Sequence, residues 1–213
     1  MTATSVADRK AAWILAGIAL IEGSVVALNA ILNPAALIRV LGFTAGRAGS
    51  EWGWLLAMAV TTGFVWHSRR FPAVREHMLR VSWFKLLALA VAVSAGILEE
   101  AVFRRQLMNS LQLHGWGTMA QILASGLAFG LVHGIWGLFG RNLRAAAGAT
   151  IATGLLGLAL AAIYVASGRS LAPCVATHFA IDLLIEPGIM LAACRGEMSG
   201  IARAGAAKTP RPA

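Results

Sequence analysis

Charged residues are scarce in this chain. They make up 13% of its 213 residues, whereas 58% of the residues are apolar. The mean hydropathy is accordingly positive, at +0.73. Because about 25% of the residues in a soluble domain are charged, this composition excludes an ordinary soluble fold. It predicts an integral membrane protein whose length suits a single domain.

Cysteine is nearly absent as well. Cys174 and Cys194 have neither the spacing of a metal site nor the number that a disulfide framework requires, so we interpret both as small packing residues. The net charge of +9 is compatible with nucleic-acid binding. However, the Lys and Arg residues lie mostly between and beyond the apolar runs, where such residues set the orientation of a membrane protein. We therefore expect no nucleic-acid partner.

Long apolar runs predict an all-α, polytopic transmembrane bundle, since about 20 helical residues cross a hydrocarbon layer of about 30 Å. The first run is long, contains Glu22 and lacks a convincing cleavage site, so we expect a retained helix and not a signal peptide. About six spans are predicted: Ala12 to Leu32, Trp52 to Trp66, Val81 to Leu98, Met119 to Phe139, Ala145 to Ala166, and Leu171 to Ala193, the last interrupted by Pro187.

The remaining segments complete the predicted organisation. Pro34 to Val40 is predicted as a short interfacial helix, and Ser68 to Arg80 as a polar loop. Residues 1–195 are predicted to form one transmembrane domain, followed by a basic, disordered tail at 196–213. Lys and Arg are more frequent on the side that holds both termini, which favours cytoplasmic N- and C-termini. We expect the inner membrane of a bacterial cell; the oligomeric state is left open.

Ionisable side chains within the apolar runs are the candidates for chemistry, because each costs about 2.5 to 3.5 kcal/mol at the centre of a membrane helix. Glu100 and Arg104 are four residues apart on one helix face, which predicts an ion pair. Glu99 lies about 100° around the helix axis without a local partner. We therefore expect Glu99 to take part in chemistry, and Glu100 and Arg104 to support the architecture.

His133 follows Phe129 by one helical turn on a run marked by small residues. Gly126, Gly130 and Gly134 recur every four positions and predict close packing against another helix. This packing would direct His133 into the bundle. Taken alone, His133 is as compatible with an interhelical hydrogen bond as with catalysis.

His178 and Asp182 form a third polar position, again four residues apart. Asp182 can accept a hydrogen bond from His178 and so determine its tautomer. Alone, this pair is also compatible with a self-satisfied helix interface. Three helices with such residues favour a single shared pocket, because one pocket satisfies all of these polar groups together.

In order, Glu99-Glu100-x-x-x-Arg104, Phe129-x-x-x-His133 and His178-x-x-x-Asp182 resemble the three motifs of the CAAX protease and bacteriocin-processing family of intramembrane proteases. The family includes CAAX prenyl endopeptidases and abortive-infection-like proteins. The resemblance covers about residues 90–191 and implies a glutamate-type membrane endopeptidase. Its substrate would be a peptide or lipidated protein, cleaved near a membrane-associated C-terminus or in a membrane-proximal segment.

The resemblance also implies roles for individual residues. Glu99 and His133 would activate a water molecule, Glu100 and Arg104 would hold the site together with Phe129, and His178 and Asp182 would stabilise the oxyanion. Two positions depart from the family pattern. Arg105 stands where the family often has glycine, and Asp182 stands where Asn is also accepted. An ionised Asp182 would repel an oxyanion, so we expect it to act by orienting His178.

Two alternatives to a metal-free protease stay open. Glu99, His133 and His178 form a known type of zinc ligand set, although the chain contains no His-Glu-x-x-His motif. A non-catalytic immunity or scaffold protein, or a small proton-coupled transporter, could use the same polar pocket, and Glu22 favours a proton relay. We expect no cofactor, with zinc as the alternative. The sequence does not identify the substrate, the membrane face to which the pocket opens, or the roles of Glu22 and Arg105.

Overall fold

The computed structural model describes residues 5–135 apart from 45 and 47, together with residues 143–195 and residue 197. This part of the chain contains helices and no strand, which confirms the all-α prediction. Apart from Glu197, the predicted tail at 196–213 lies outside the described residues. The helices are α1 (Val6–Leu32), α2 (Pro34–Leu41), α3 (Glu51–Ser68), α4 (Pro72–His77), α5 (Trp83–Glu100), a π-helical segment (Ala101–Met108), α6 (Asn109–Leu113), α7 (Thr118–His133), α8 (Leu143–Ala166), α9 (Ala172–Ile185) and α10 (Gly188–Cys194).

Several of these helices are long and apolar enough to cross a membrane. Among the described residues they are Val6–Leu32, Trp83–Leu113 and Ala146–Ala166, with α9 and α10 as a fourth if this pair, bent by 56°, is one span. The other two predicted spans correspond to α3, with 18 residues, and α7, with 16 residues. At 1.5 Å per residue α7 is about 24 Å long, which is less than the full hydrocarbon layer. Residues 136–139 of the fourth predicted span lie outside the described part. The chain is thus an α-helical membrane bundle, and its count of six spans stays a prediction.

Local sequence signals set where several helices begin. Ser5 and Asp8 form a capping box at the start of α1. The hydroxyl groups of Ser50 and Ser82 accept hydrogen bonds from the backbone of the first turns of α3 and α5. These caps satisfy backbone N–H groups that have no partner inside the helix. The start of α5 is therefore anchored, and α5 carries Glu99 and Glu100 at its other end.

The break predicted at Pro187 is present. Helix α9 ends at Ile185 and α10 begins at Gly188. The ammonium group of Lys85 donates to the carbonyl oxygens of Leu183, at 2.6 Å, and Glu186, at 2.7 Å. These carbonyl groups lie at the end of α9, where the helix provides no partner. Lys85, a charge within an apolar run, thus stabilises a helix terminus.

The segment from Ser68 to Arg80 is more structured than the predicted polar loop. It contains α4, in which Ala73 and Val74 are buried. A Cβ atom at Gly188 would overlap the backbone of Val74, so α4 and α10 are in close contact. The prediction was wrong here because the arginines of this segment conceal a short apolar pair that packs against a helix distant in sequence.

The predicted glycine packing on α7 is confirmed. A Cβ atom at Gly130 would lie 2.7 Å from the carbonyl oxygen of Thr150 and 2.8 Å from Cα of Gly154, both in α8. Gly126 and Gly134 also approach α8 closely, at Leu158 and Thr150. Because a Cβ atom does not fit at these distances, α7 and α8 can pack this closely only with glycine. This contact sets the position of α7, which carries Phe129 and His133, relative to α8.

Candidate active site

Three helices bring their ionisable side chains together around Glu99. Its Oε2 atom lies 3.7 Å from Nε2 of His133, at the end of α7, and 3.8 Å from Nε2 of His178, in α9. Oε2 of Glu99 is buried and makes no direct hydrogen bond within the described part of the chain. The Glu99 and His133 side chains are 18% and 17% exposed, whereas that of His178 is 4% exposed. The cluster is therefore largely enclosed, and Glu99 lies between two imidazoles.

Glu100 connects the other side of the cluster. Its Oε1 atom accepts hydrogen bonds from Nη1 of Arg104, at 2.9 Å, and from Nδ1 of His178, at 2.7 Å. The predicted ion pair of Glu100 and Arg104 is thus confirmed, and both side chains have no solvent exposure. Burying two charges is costly unless they are paired and hydrogen-bonded. Glu100 meets this requirement because both Arg104 and His178 donate hydrogen bonds to it.

Arg104 makes further contacts beyond Glu100. Its Nη2 atom donates to the carbonyl oxygen of Gly157 in α8, at 3.2 Å. Its guanidinium carbon lies 4.5 Å above the ring centre of Phe129, at a distance where the ring face attracts a cation. Arg104 therefore joins the end of α5 to both α7 and α8.

Phe129 contacts both histidines of the site. Its ring stacks on His133 with centres 4.4 Å apart and meets His178 edge-on at 5.8 Å. Because Phe129 is only 1% exposed, it excludes water from one wall of the cluster. The supporting role of Phe129 stays a prediction.

The hydrogen bonds of His133 indicate its tautomer. Nδ1 of His133 lies 2.8 Å from the carbonyl oxygen of Phe129. A carbonyl oxygen can only accept, so Nδ1 carries the proton. In the neutral ring, Nε2 is then a hydrogen-bond acceptor that faces Glu99.

His178 differs from the prediction in the identity of the carboxylate that orients it. Nδ1 of His178 is hydrogen-bonded to Glu100 at 2.7 Å, whereas Oδ2 of Asp182 lies 3.5 Å from Nε2. Glu100, and not Asp182, therefore determines the ring orientation, because the tertiary fold brings α5 against α9. Nε2 of His178 faces the carboxyl groups of Asp182 and Glu99, and both groups are acceptors when ionised. A proton on Nε2 or on one of the two carboxyl groups removes the repulsion between these acceptors.

The helix changes type directly after the two glutamates. Residues Ala101–Met108 form a π-helical segment between α5 and α6. The hydroxyl group of Ser125 in α7 donates to the carbonyl oxygen of Phe103 in this segment, at 3.1 Å. Such π-helical segments are rare and often occur at functional sites. The sequence contained no signal for it, since the apolar pattern predicts an ordinary helix.

Arg105 does not fill the close-packed position expected from the family's glycine. Its side chain is exposed, and its Nη1 atom donates to the carbonyl oxygen of Val40, at 3.4 Å. Arg104 is buried in the bundle, whereas Arg105, one position further along the same segment, is exposed.

Glu22 approaches the cluster from α1. Its Oε2 atom lies 3.5 Å from the hydroxyl oxygen of Ser94, which precedes Glu99 by five residues in α5. Ser94 was not predicted to contribute to the site, because a single serine in an apolar helix is a common packing residue. The acid at Glu22 was the sequence signal that could have placed α1 beside the site.

Within the described residues, no group of three or more His, Cys, Asp or Glu side chains has an arrangement that could hold a metal ion. The two cysteines form no disulfide, and Cys174 is buried. The zinc ligand set of Glu99, His133 and His178 is therefore present as neighbouring residues without the geometry of a bound ion.

Residues 81–184 match the family model of the Rce1-like type II CAAX prenyl endopeptidases. This range is about half of the chain and includes Glu99 to Arg104, Phe129, His133, His178 and Asp182. No curated protein and no solved structure matches the chain.

Proposed function

Residues 81–184 place the chain in the Rce1-like family of type II CAAX prenyl endopeptidases, and on this premise we propose that it hydrolyses a peptide bond with a water molecule activated by Glu99 and His133. The family membership makes the protein a membrane protease that acts on peptide substrates. The proposed catalytic residues, Glu99, His133 and His178, lie on three helices whose side chains meet at one place.

The arrangement around Oε2 of Glu99 is the observation that carries this proposal. The distances of 3.7 and 3.8 Å to the two imidazoles are too long for direct hydrogen bonds. At such distances a water molecule can bridge Glu99 to the two imidazoles, as often happens between polar groups that are more than 3.5 Å apart. A buried carboxylate oxygen without a direct hydrogen bond, such as Oε2 of Glu99, is also costly, which favours a function for it.

In the proposed first step, Glu99 takes a proton from the water as the water oxygen bonds to the substrate carbonyl carbon. Nε2 of His133 accepts a hydrogen bond from the second O–H group of the water, which stays intact, and so directs a lone pair of the water oxygen at the carbon. The carbonyl π electrons move to the oxygen, and the N–H group at Nε2 of His178 donates to the oxyanion. Preorganised donors of this kind in a water-poor site often give the largest contribution to catalysis.

In the second step, the tetrahedral intermediate collapses and its C–N bond breaks. The leaving nitrogen takes the proton held by Glu99, so that the products are a carboxyl group and an amine. The base of the first step thus acts as the acid of the second, as general acid–base catalysis requires. No side chain forms a covalent bond with the substrate.

The remaining residues support this chemistry. Glu100, whose charge is balanced by Arg104, holds Nδ1 of His178 and thereby directs Nε2 at the reacting carbonyl. Oδ2 of Asp182 lies 3.5 Å from Nε2 of His178, close enough to balance a positive charge on the imidazole when no substrate is bound. Phe129 excludes water from the wall between His133 and His178.

For the substrate, we propose a peptide or lipidated protein cleaved near a membrane-associated C-terminus or in a membrane-proximal segment. The largely enclosed position of the site, within the candidate membrane span Trp83–Leu113, supports a substrate that the bilayer delivers. We further propose cytoplasmic termini in a bacterial inner membrane, on the distribution of Lys and Arg.

The test begins with the substrate. Membrane and secreted peptides are compared between cells with the wild-type protein and cells with Glu99→Gln, and a peptide that changes is used with purified protein. Glu99→Gln and His133→Ala are expected to reduce cleavage by a factor of about 100 to 10,000, because each removes a group that handles the proton.

Control variants separate this effect from general disturbance. In His114, Nδ1 lies 2.8 Å from the carbonyl oxygen four residues earlier, as it does in His133, but His114 is exposed. His114→Ala should therefore cleave at the wild-type rate. If folded Glu99→Gln and His133→Ala also cleave at the wild-type rate, the proposed mechanism is wrong, and a binding or transport role of the pocket becomes the better explanation.

The zinc alternative has a separate test. We propose that the reaction needs no metal ion, so EDTA and 1,10-phenanthroline should leave cleavage unchanged. Loss of cleavage with the chelators and its recovery with Zn²⁺ would instead assign Glu99, His133 and His178 as zinc ligands. Metal analysis of the purified protein provides a readout that does not depend on activity.

A further inference from the structure

A cavity of about 300 Å³ lies apart from the catalytic cluster and is lined by three arginines. They come from separate segments: Arg39 from α2, Arg105 from the π-helical segment, and Arg169 from the turn between α8 and α9. We call this space the arginine cavity. Ser167 and Gly168 of the same turn also line it.

The positive charges of the arginine cavity have no acidic counterpart in the described structure. None of the three guanidinium groups has a carboxylate oxygen within 4 Å, whereas Arg80, Arg104 and Arg195 each have one. Arg105 donates to a backbone carbonyl group. No acidic residue lines the cavity. Because three like charges repel one another across a shared space, the cavity favours an anion.

Arg169 is held in place by an unusual backbone conformation and by neutral partners. Its φ of 64° lies in the left-handed region, which residues other than glycine rarely adopt. Its guanidinium group donates to Oδ1 of Asn109, at 2.8 Å, and to Oε1 of Gln121, at 2.5 Å. Neither Asn109 nor Gln121 lines the cavity, so these bonds fix the position of Arg169 and leave its charge uncompensated. A strained residue with an oriented, uncompensated charge is typical of a binding site.

The arginine cavity lies at the level where membrane helices end. Helix α1 ends at Leu32, and α8 ends at Ala166, directly before the turn that carries Arg169. Ile38, Phe43 and Trp52 lie within three positions of the lining residues Arg39, Gly42 and Gly49 in the sequence, and their apolar side chains are more than half exposed. Apolar and aromatic side chains of this kind are common where protein meets lipid headgroups.

From these observations we propose that the arginine cavity binds the phosphate group of an anionic membrane lipid. Planar guanidinium groups suit phosphate oxygens, to which they can donate two parallel hydrogen bonds. Arg39 can bind a phosphate in this way, and Arg105 keeps N–H groups besides the one that binds Val40. Arg169, whose terminal nitrogens bind Asn109 and Gln121, adds its charge. The exposed apolar side chains would contact the acyl chains of the same lipid. The site is distinct from the catalytic cluster and does not depend on the proposed reaction.

The experiment measures binding to the purified full-length protein in a neutral detergent. Thermal unfolding is followed while dihexanoyl-phosphatidylglycerol, dihexanoyl-phosphatidylcholine or inorganic phosphate is added at matched ionic strength. Phosphatidylglycerol is expected to raise the unfolding temperature in a saturable manner, and phosphatidylcholine is not. Arg39→Gln and Arg105→Gln should each weaken binding and raise the dissociation constant for phosphatidylglycerol by at least about tenfold. This is a realistic effect for the loss of one guanidinium group that binds phosphate.

The matched control is Arg9→Gln, which removes the same charge from an exposed position in α1. It should leave binding of phosphatidylglycerol unchanged. If inorganic phosphate stabilises the protein as strongly as phosphatidylglycerol and competes with it, the ligand of the cavity is free phosphate and not a lipid. Equal effects of the two lipids, or wild-type binding by folded Arg39→Gln and Arg105→Gln, would overturn the proposal. Because no cleavage is measured, this outcome would leave the proposed protease mechanism untouched.

Discussion

The carboxylate of Glu100 accepts a hydrogen bond of 2.7 Å from Nδ1 of His178, a residue 78 positions further along the chain. The same oxygen atom accepts from Arg104. A guanidinium, a carboxylate and an imidazole are therefore connected in one buried line that joins α5 to α9. Because these groups are shielded from water, each depends on the others for its charge balance. The orientation of His178 in the candidate site follows from this line.

Removing Arg104 should destabilise the protein strongly. Arg104→Met leaves the Glu100 carboxylate buried without its cation, and we expect the free energy of unfolding to fall by about 3 to 5 kcal/mol. Denaturant unfolding in detergent measures the change. Adding Glu100→Gln to this variant should recover part of the loss, because the unpaired charge is then removed as well.

Arg80→Met is the matched control for this variant. Arg80 also pairs with a glutamate four residues away, Glu76, but at 3.7 Å and with side chains that are 62% and 58% exposed. Exposed pairs contribute about 0 to 1 kcal/mol. Equal losses for Arg104→Met and Arg80→Met would show that the buried pair has no special importance.

Replacing Asp182 by asparagine should preserve activity. Asn keeps an oxygen atom in the place of Oδ2, which lies 3.5 Å from Nε2 of His178. Asp182→Asn should therefore cleave within about tenfold of the wild-type rate, which is about 1.4 kcal/mol in the barrier. Asp182→Ala removes this polar neighbour and should lose about tenfold or more, since a buried polar group left without a partner costs about 1 to 3 kcal/mol. Cleavage rates of both variants measure this difference. Complete loss of cleavage in folded Asp182→Asn would refute this role.

The contact between α7 and α8 should tolerate no added atom at Gly130. Its surroundings are the backbone of Thr150 and Gly154, which cannot move aside as a flexible side chain would. Gly130→Ala is expected to lower the free energy of unfolding by about 1 to 3 kcal/mol, the usual cost of overpacking. Denaturant unfolding in detergent is again the measurement.

Gly148→Ala is the control on the facing helix. A Cβ atom there would meet nothing within 4 Å, and the position is exposed. Alanine has a higher helix propensity than glycine, so this variant should gain up to about 1 kcal/mol. A similar loss in both variants would mean that glycine is needed for its backbone freedom and not for close packing.

His77 should make stability depend on pH. Burial lowers the pKa of His77 below its usual value of 6.5, and the charges of Arg80 and Arg195 act in the same direction, against those of Glu76 and Asp8. The unfolded chain therefore binds a proton at this position more readily than the folded chain does. Consequently, His77 should reduce stability as the pH falls below about 6.5 and should have no such effect at higher pH.

The measurement compares unfolding temperatures at pH 7.5 and pH 5.5 for the wild type and for His77→Gln. The variant should lose less stability between these two values than the wild type loses. His67→Gln serves as the control, because His67 is an exposed histidine at the end of α3. If His77→Gln and the wild type show the same pH dependence, His77 does not titrate differently in the folded protein.

Much of this protein could be predicted from its sequence because short-range rules determine it. The apolar runs predicted the helices, and Pro187 predicted the break between α9 and α10. The spacing of four residues predicted the Glu100 and Arg104 pair, and the glycine repeat predicted the close approach of α7. These features depend on helix geometry and on the size of one side chain, and both can be read from neighbouring positions.

Other features were decided by the tertiary structure alone. The carboxylate that orients His178, the burial of Arg104 opposite the exposed Arg105, and the carbonyl group of Gly157 that Arg104 binds all depend on helices distant in sequence. The arginine cavity likewise combines three segments that the sequence keeps far apart. Periodicity places a side chain on a face of its own helix, but the partner that it meets depends on how the helices pack. The sequence therefore determined which residues had to be buried together, and only the packing of the bundle decided which of them touch.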